Sequence, residues 1–128
     1  MSSPAPLVLV VDDNELNIEL VRYVLEAGGL RVRTAADACE ALAQLQAERP
    51  ALILMDIQLP GMDGVTLTGQ LKADPATRGI AIVAFTAYAM KGDEARLLAA
   101  GCDGYLAKPI DVARFASQVR ALLPADGA

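Results

Sequence analysis

Residues 7–13, LVLVVDD, run five apolar side chains directly into two adjacent aspartates. An unbroken apolar run of this length is too greasy for a strand with one wet face, so it reads as a central strand covered on both sides. ALILMD (51–56) repeats the theme, ending on a third aspartate, and IAIVAFT (80–86) ends on a threonine. Segments of helical period separate these runs. In NELNIELVRYVLEAGG (14–29), Leu20, Val21, Val24 and Leu25 form an apolar stripe, Leu16 and Ile18 lie outside it, and Gly28-Gly29 supplies the stop. LRVRTA (30–35) alternates as an edge strand does. DACEALAQLQAERP (37–50) reads as a helix with Asp37 as N-cap and Pro50 as terminator.

The remaining chain continues the alternation. IQLPGMDG (57–64) is a loop by its Pro and Gly content, and VTLTGQLKA (65–73) is a short helix. YAMKGDEARLLAAG (88–101) is a fourth helix, and DGYLAKP (103–109) with DVARFASQVRALL (111–123) makes the fifth strand and helix pair. Alternating strands and helices specify an α/β fold: a doubly wound, five-stranded parallel sheet with helices on both faces. Residues 1–6 are expected as a flexible start, 7–123 as one domain and 124–128 as a loose tail.

Composition narrows the functions available. The 128 residues are 54% apolar, enough for a core in a single domain. Eleven basic against sixteen acidic residues give a net charge of −5, which disfavours direct nucleic-acid or anionic-membrane binding. No apolar run approaches membrane-spanning length, and MSSPAP has no leader pattern, so a cytoplasmic location is expected. Cys39 and Cys102 lack metal-ligand spacing and read as small core residues. The chain has no histidine, which removes imidazole catalysis and a phosphohistidine of its own.

In doubly wound sheets, ligands sit beyond the carboxyl ends of the strands. That rule gathers Asp12, Asp13, Asp56, Thr86 and Lys108 on one rim. Singly, each has a structural explanation: an aspartate before a helix caps it, and a strand-end hydroxyl or a surface lysine is commonplace. Together, three carboxylates repel one another unless a cation sits among them, and an all-oxygen donor set suits Mg²⁺ or Mn²⁺. A hydroxyl and an ammonium on the same rim suit phosphoryl oxygens, and a carboxylate is a competent nucleophile in phosphoryl transfer. Asp56 is the candidate.

The motifs VDD, LMDIQLPGMDG, FTA and AKP resemble, in order and spacing, the receiver domain of bacterial two-component response regulators over about residues 7–123. The resemblance implies the flavodoxin-like strand order 2-1-3-4-5. It also implies a phosphoaspartate at Asp56, formed from a partner's phosphohistidine. Mg²⁺ would be held by Asp13, Asp56 and the Gln58 backbone carbonyl, with Asp12 acting mostly through water. Lys108 would contact the phosphoryl group, Thr86 would move toward it, and Tyr105 would turn inward behind it. A cis bond is implied between Lys108 and Pro109.

The expected protein is thus a stand-alone, monomeric signalling switch rather than an enzyme, accepting its phosphoryl group from a histidine kinase or phosphotransfer protein. With no domain after the fifth helix, output would pass through a target protein. The alternatives are a relay intermediate that hands the group to another protein's histidine, or the receiver piece of a hybrid kinase. A phosphatase of the haloacid dehalogenase type would want an acid where Gln58 stands, and falls far behind. Gln58 and Tyr88 flank the site and are placed to influence the lifetime of a phosphoaspartate. Leu16 and Ile18 are candidates for docking the donor's helices.

Overall fold

The computed structural model describes residues 6–56, 64–86, 95, 97–107 and 110–123. Five parallel strands, β1 (Leu7–Val11), β2 (Arg31–Ala35), β3 (Leu52–Asp56), β4 (Ala81–Thr86) and β5 (Gly104–Ala107), form one sheet in the order β2-β1-β3-β4-β5. Helices α1 (Glu15–Ala27), α2 (Ala38–Ala47) and α3 (Gly64–Ala73) follow the first three strands, and a last helix covers Phe115–Leu122. Residues 95 and 97–99 are also helical. This is the doubly wound, flavodoxin-like order expected from the sequence.

Period-two alternation sorts each central strand between two cores. Leu9, Val11, Ile53, Met55, Ile82 and Ala84 face one side, where Ala38, Ala41, Leu67, Leu71 and Leu97 cover them. Val8, Val10, Leu52, Leu54, Val83 and Phe85 face the other, under Val21, Val24, Leu25, Phe115 and Val119. Phe85 and Phe115 meet at a ring-centroid distance of 5.6 Å with planes tilted by 41°, a favourable aromatic geometry. Every residue of β1 and β3 is buried, as the continuous apolar runs predicted.

Several boundaries and placements differ from the sequence reading. Helix α2 ends at Ala47, before Pro50, with Glu48 already extended. The last helix begins at Phe115 rather than near 111, because Asp111 first closes a turn, accepting from the Ala113 N–H on its carboxylate and from the Arg114 N–H on its carbonyl. Leu20 is 43% exposed and outside the core, since the buried arc of α1 is only as wide as Val21, Val24 and Leu25. Ile18 is the reverse, packing against the Phe115 core.

Cys102 is buried as predicted, but Cys39 is exposed, on the outer face of α2. Burial pushes the Cys102 thiol above its ordinary pKa and the Asp103 charge adds to this, while Thr68 and Lys72 pull the other way.

The end of the sheet away from the aspartates is cross-stitched. The Lys72 ammonium donates to the carbonyls of Arg78 and Ile80 and to the Asp103 carboxylate, at 3.2, 3.0 and 2.8 Å. The same Asp103 oxygen accepts the Ile82 N–H at 2.8 Å. One ion pair therefore ties α3 to the starts of β4 and β5.

Two glycines make opposite predictions. A Cβ on Gly28 would lie 2.7 Å from the Ala116 Cβ of the last helix, whereas one on Gly69, exposed within α3, would meet nothing within 4 Å. Gly28→Ala should lower unfolding free energy by about 1–3 kcal/mol, and Gly69→Ala should raise it by about 0.5–1 kcal/mol. Urea denaturation of the two variants checks both signs.

Candidate functional site

The rim is built by strand register. Val11 pairs with Met55, so the residues that follow the pair, Asp12 and Asp56, emerge side by side between β1 and β3. Asp56 in turn pairs with Phe85, one residue before Thr86, and Thr86 pairs with Ala107, one residue before Lys108. Each of these strands thus ends within a residue of its neighbour, and all four within two.

Asp12, Asp13 and Asp56 converge: one carboxylate oxygen from each lies within 4.8 Å of the others. Asp12 and Asp56 are 1% and 5% exposed, whereas Asp13 is exposed. The arrangement is a half-open acidic pit with two buried walls and one wet one. Its donors are all hard oxygens, which fits a divalent cation such as Mg²⁺ or Mn²⁺ that keeps part of its water.

Local chain geometry holds the pit. The Asp12 N–H donates to the Ala35 carbonyl at 3.0 Å, extending the β1–β2 ladder past the strand end. Asn14 caps α1, its side-chain oxygen accepting the Asn17 N–H at 3.1 Å. Its own N–H donates to Asp12 Oδ1 at 2.9 Å, and the Asn17 side-chain amide donates to Asp12 Oδ2. The sequence reading missed both asparagines. The signal was the N-x-x-N spacing after the aspartate pair, which places a cap and its third helical residue beside a strand-end carboxylate.

Of the other predicted residues, Tyr105 is half-buried in β5, beside Ala84 and packed on the α2–α3 side of the sheet. Thr86 is the last residue of β4. Gln58, Tyr88, Lys108 and the Lys108–Pro109 bond lie outside the described residues.

Residues 8–120 match the response regulator receiver domain. The chain belongs to that family. A polar-differentiation response regulator, DivK, of Brucella anthropi is 46% identical over 116 residues, covering 91% of this chain and 94% of that protein. Among solved structures, a putative response regulator from Chloroflexus aurantiacus superposes with a TM-score of 0.86 at 32% identity, covering 92% and 97% of the two chains. The chemotaxis response regulator CheY4 of Vibrio cholerae gives 0.86 at 28% identity over 93% and 99%.

The receiver is therefore a signalling module of a two-component system. Among its described residues no helix is long and apolar enough to cross a membrane.

Three carboxylates in so small a space repel one another. Asp13→Asn should raise the metal-free unfolding temperature of the receiver by about 2–5 °C. Thermal melts in chelator check this, and a fall would show that the exposed carboxylate is not a source of repulsion.

Proposed function

We propose that Asp56 accepts a phosphoryl group from the phosphohistidine of a histidine kinase or phosphotransfer protein, and that the receiver then signals through a target protein. The observation that carries this reading is the convergence of Asp12, Asp13 and Asp56 at the carboxyl ends of β1 and β3 in a chain of the receiver family. In the transfer, an Asp56 carboxylate oxygen attacks phosphorus and the bond from phosphorus to the imidazole nitrogen breaks. The donor ring, protonated beforehand, leaves as neutral imidazole and an acyl phosphate remains.

Asp12, Asp13, Asp56 and the Gln58 carbonyl would hold a divalent cation, which when bound neutralises charge gathering on the phosphoryl oxygens. Asp12, held by two donors, keeps its wall of the pit in place while Asp13 remains open to water. Lys108 would pair with the phosphoryl group. Thr86, one residue past the strand partner of Asp56, would donate its hydroxyl to it. Tyr105 would follow into the space that Thr86 leaves, and the two packings would differ on the surface that a target reads.

Helix α1 offers the donor a place to dock. Leu16, Leu20 and Tyr23 are 79%, 43% and 71% exposed. Their spacing of four and three puts them on one face of the helix, and Leu16 is three residues from Asp13. This stripe replaces the pair Leu16 and Ile18 suggested by sequence, because Ile18 is turned into the core.

Intact mass after incubation with acetyl phosphate and Mg²⁺ tests the chemistry. A single phosphoryl adduct is expected, absent in Asp56→Asn and without metal. An adduct that survives Asp56→Asn overturns the assignment.

The docking stripe has its own test in a Leu16→Ala, Tyr23→Ala double variant. Transfer from a cognate phosphohistidine donor should slow by about tenfold or more, while labelling by acetyl phosphate stays at the wild-type rate. Equal effects on the two donors exclude docking through this face.

A further inference from the structure

A carboxylate that is 1% exposed has exchanged water for whatever donors the protein supplies. At Asp12 the supply has an unusual source. In the ordinary capping box, the side chain at the third helical position reaches back to the N–H of the cap residue. Here the cap is Asn14 and the third position is Asn17, yet the Asn14 N–H goes to Asp12 Oδ1 and the Asn17 amide goes to Asp12 Oδ2. The first arm of the box, the Asn17 N–H on the Asn14 side-chain oxygen, is kept, while the donor and the side chain of the return arm are both turned onto the carboxylate.

The two donors act differently. The Asn14 N–H is backbone and no side-chain change removes it. Asn17 contributes a side-chain donor on the opposite oxygen, so the pair fixes the plane of the carboxylate as well as its position. Asn17 is itself held by its N–H on the Asn14 side-chain oxygen, at 3.1 Å. Each bond occupies one lone pair of its oxygen. One oxygen of the same carboxylate lies within 4.8 Å of an oxygen from each of Asp13 and Asp56, so the plane these bonds set is the plane of one wall of the pit.

We propose that Asn17 is a positioning residue which, acting through Asp12, sets the orientation of the acidic pit and so makes it discriminate between divalent cations. The proposal rests on the reading of the pit as a cation seat. Mg²⁺ demands near-octahedral geometry at about 2.0–2.1 Å, while Ca²⁺ accepts six to eight oxygens at about 2.3–2.6 Å in flexible arrangements. A carboxylate locked in one plane favours the exacting ion. A carboxylate free to rotate penalises that ion more than the tolerant one. Groups that orient a ligand from behind affect metal affinity by about 10–100-fold.

The experiment is calorimetric titration of the full chain with Mg²⁺ and with Ca²⁺, comparing wild type with Asn17→Ala and Asn17→Leu. Alanine is a favourable helix residue and leucine preserves the side-chain outline, so the two variants fail differently if packing matters. Mg²⁺ affinity should fall about tenfold or more and Ca²⁺ affinity clearly less, lowering the ratio between the ions. A fall by the same factor for both ions, or no change for either, overturns the positioning role. Wild type that binds neither ion overturns the cation seat itself, and with it the proposal.

A measurement without variants stands beside this one. In the wild-type NMR spectrum the Asn17 side-chain amide protons should exchange with solvent more slowly than those of exposed Asn14. Equal exchange would show that the bond to Asp12 does not persist in solution.

Discussion

Parallel pairing of β1 with β3, Val11 against Met55, is the constraint on which the rest of this molecule depends. Because side chains alternate along a strand, a slip of one residue would send Leu9 and Val11 to the wrong core and separate Asp12 from Asp56. The apolar content of both strands makes such a slip costly, since all ten residues are buried. Hydrophobic packing thus enforces a meeting of like charges that electrostatics alone would disperse. The acidic pit is held together by residues that are not acidic.

That division of labour explains what was legible in the sequence. The unbroken runs at 7–11 and 52–55 announce central strands, and parallel strands joined by right-handed crossovers carry their terminal aspartates to one rim. Helix α1 shows where such reasoning thins out. Its pattern puts Leu20 in the apolar stripe and Ile18 outside it, and the packing of the last helix, which supplies Phe115 against that side of the sheet, reverses the two. Nothing local to α1 encodes a contact with a segment ninety residues downstream.

Cys39 and the two asparagines illustrate two other limits. Cysteine has a strong bias to the interior, yet a ten-residue helix has an outer face that some residue must occupy, and α2 puts Cys39 there. Asn14 and Asn17 read as ordinary helix-start chemistry. Their turn toward Asp12 follows from the placement of that carboxylate by the β1 ladder, a relation between a strand end and a helix start that neither segment displays alone.

The sheet's two margins bear on how the domain avoids its own kind. At one margin β2 carries Arg31 and Arg33, both paired with Glu48. At the other β5 is only four residues long. Charge on one edge and brevity on the other are devices that discourage an incoming strand from extending a sheet. A signalling module of the receiver family is thereby guarded against self-templated aggregation. Contacts made elsewhere on the surface can then form and dissolve without threading a backbone into the ladder.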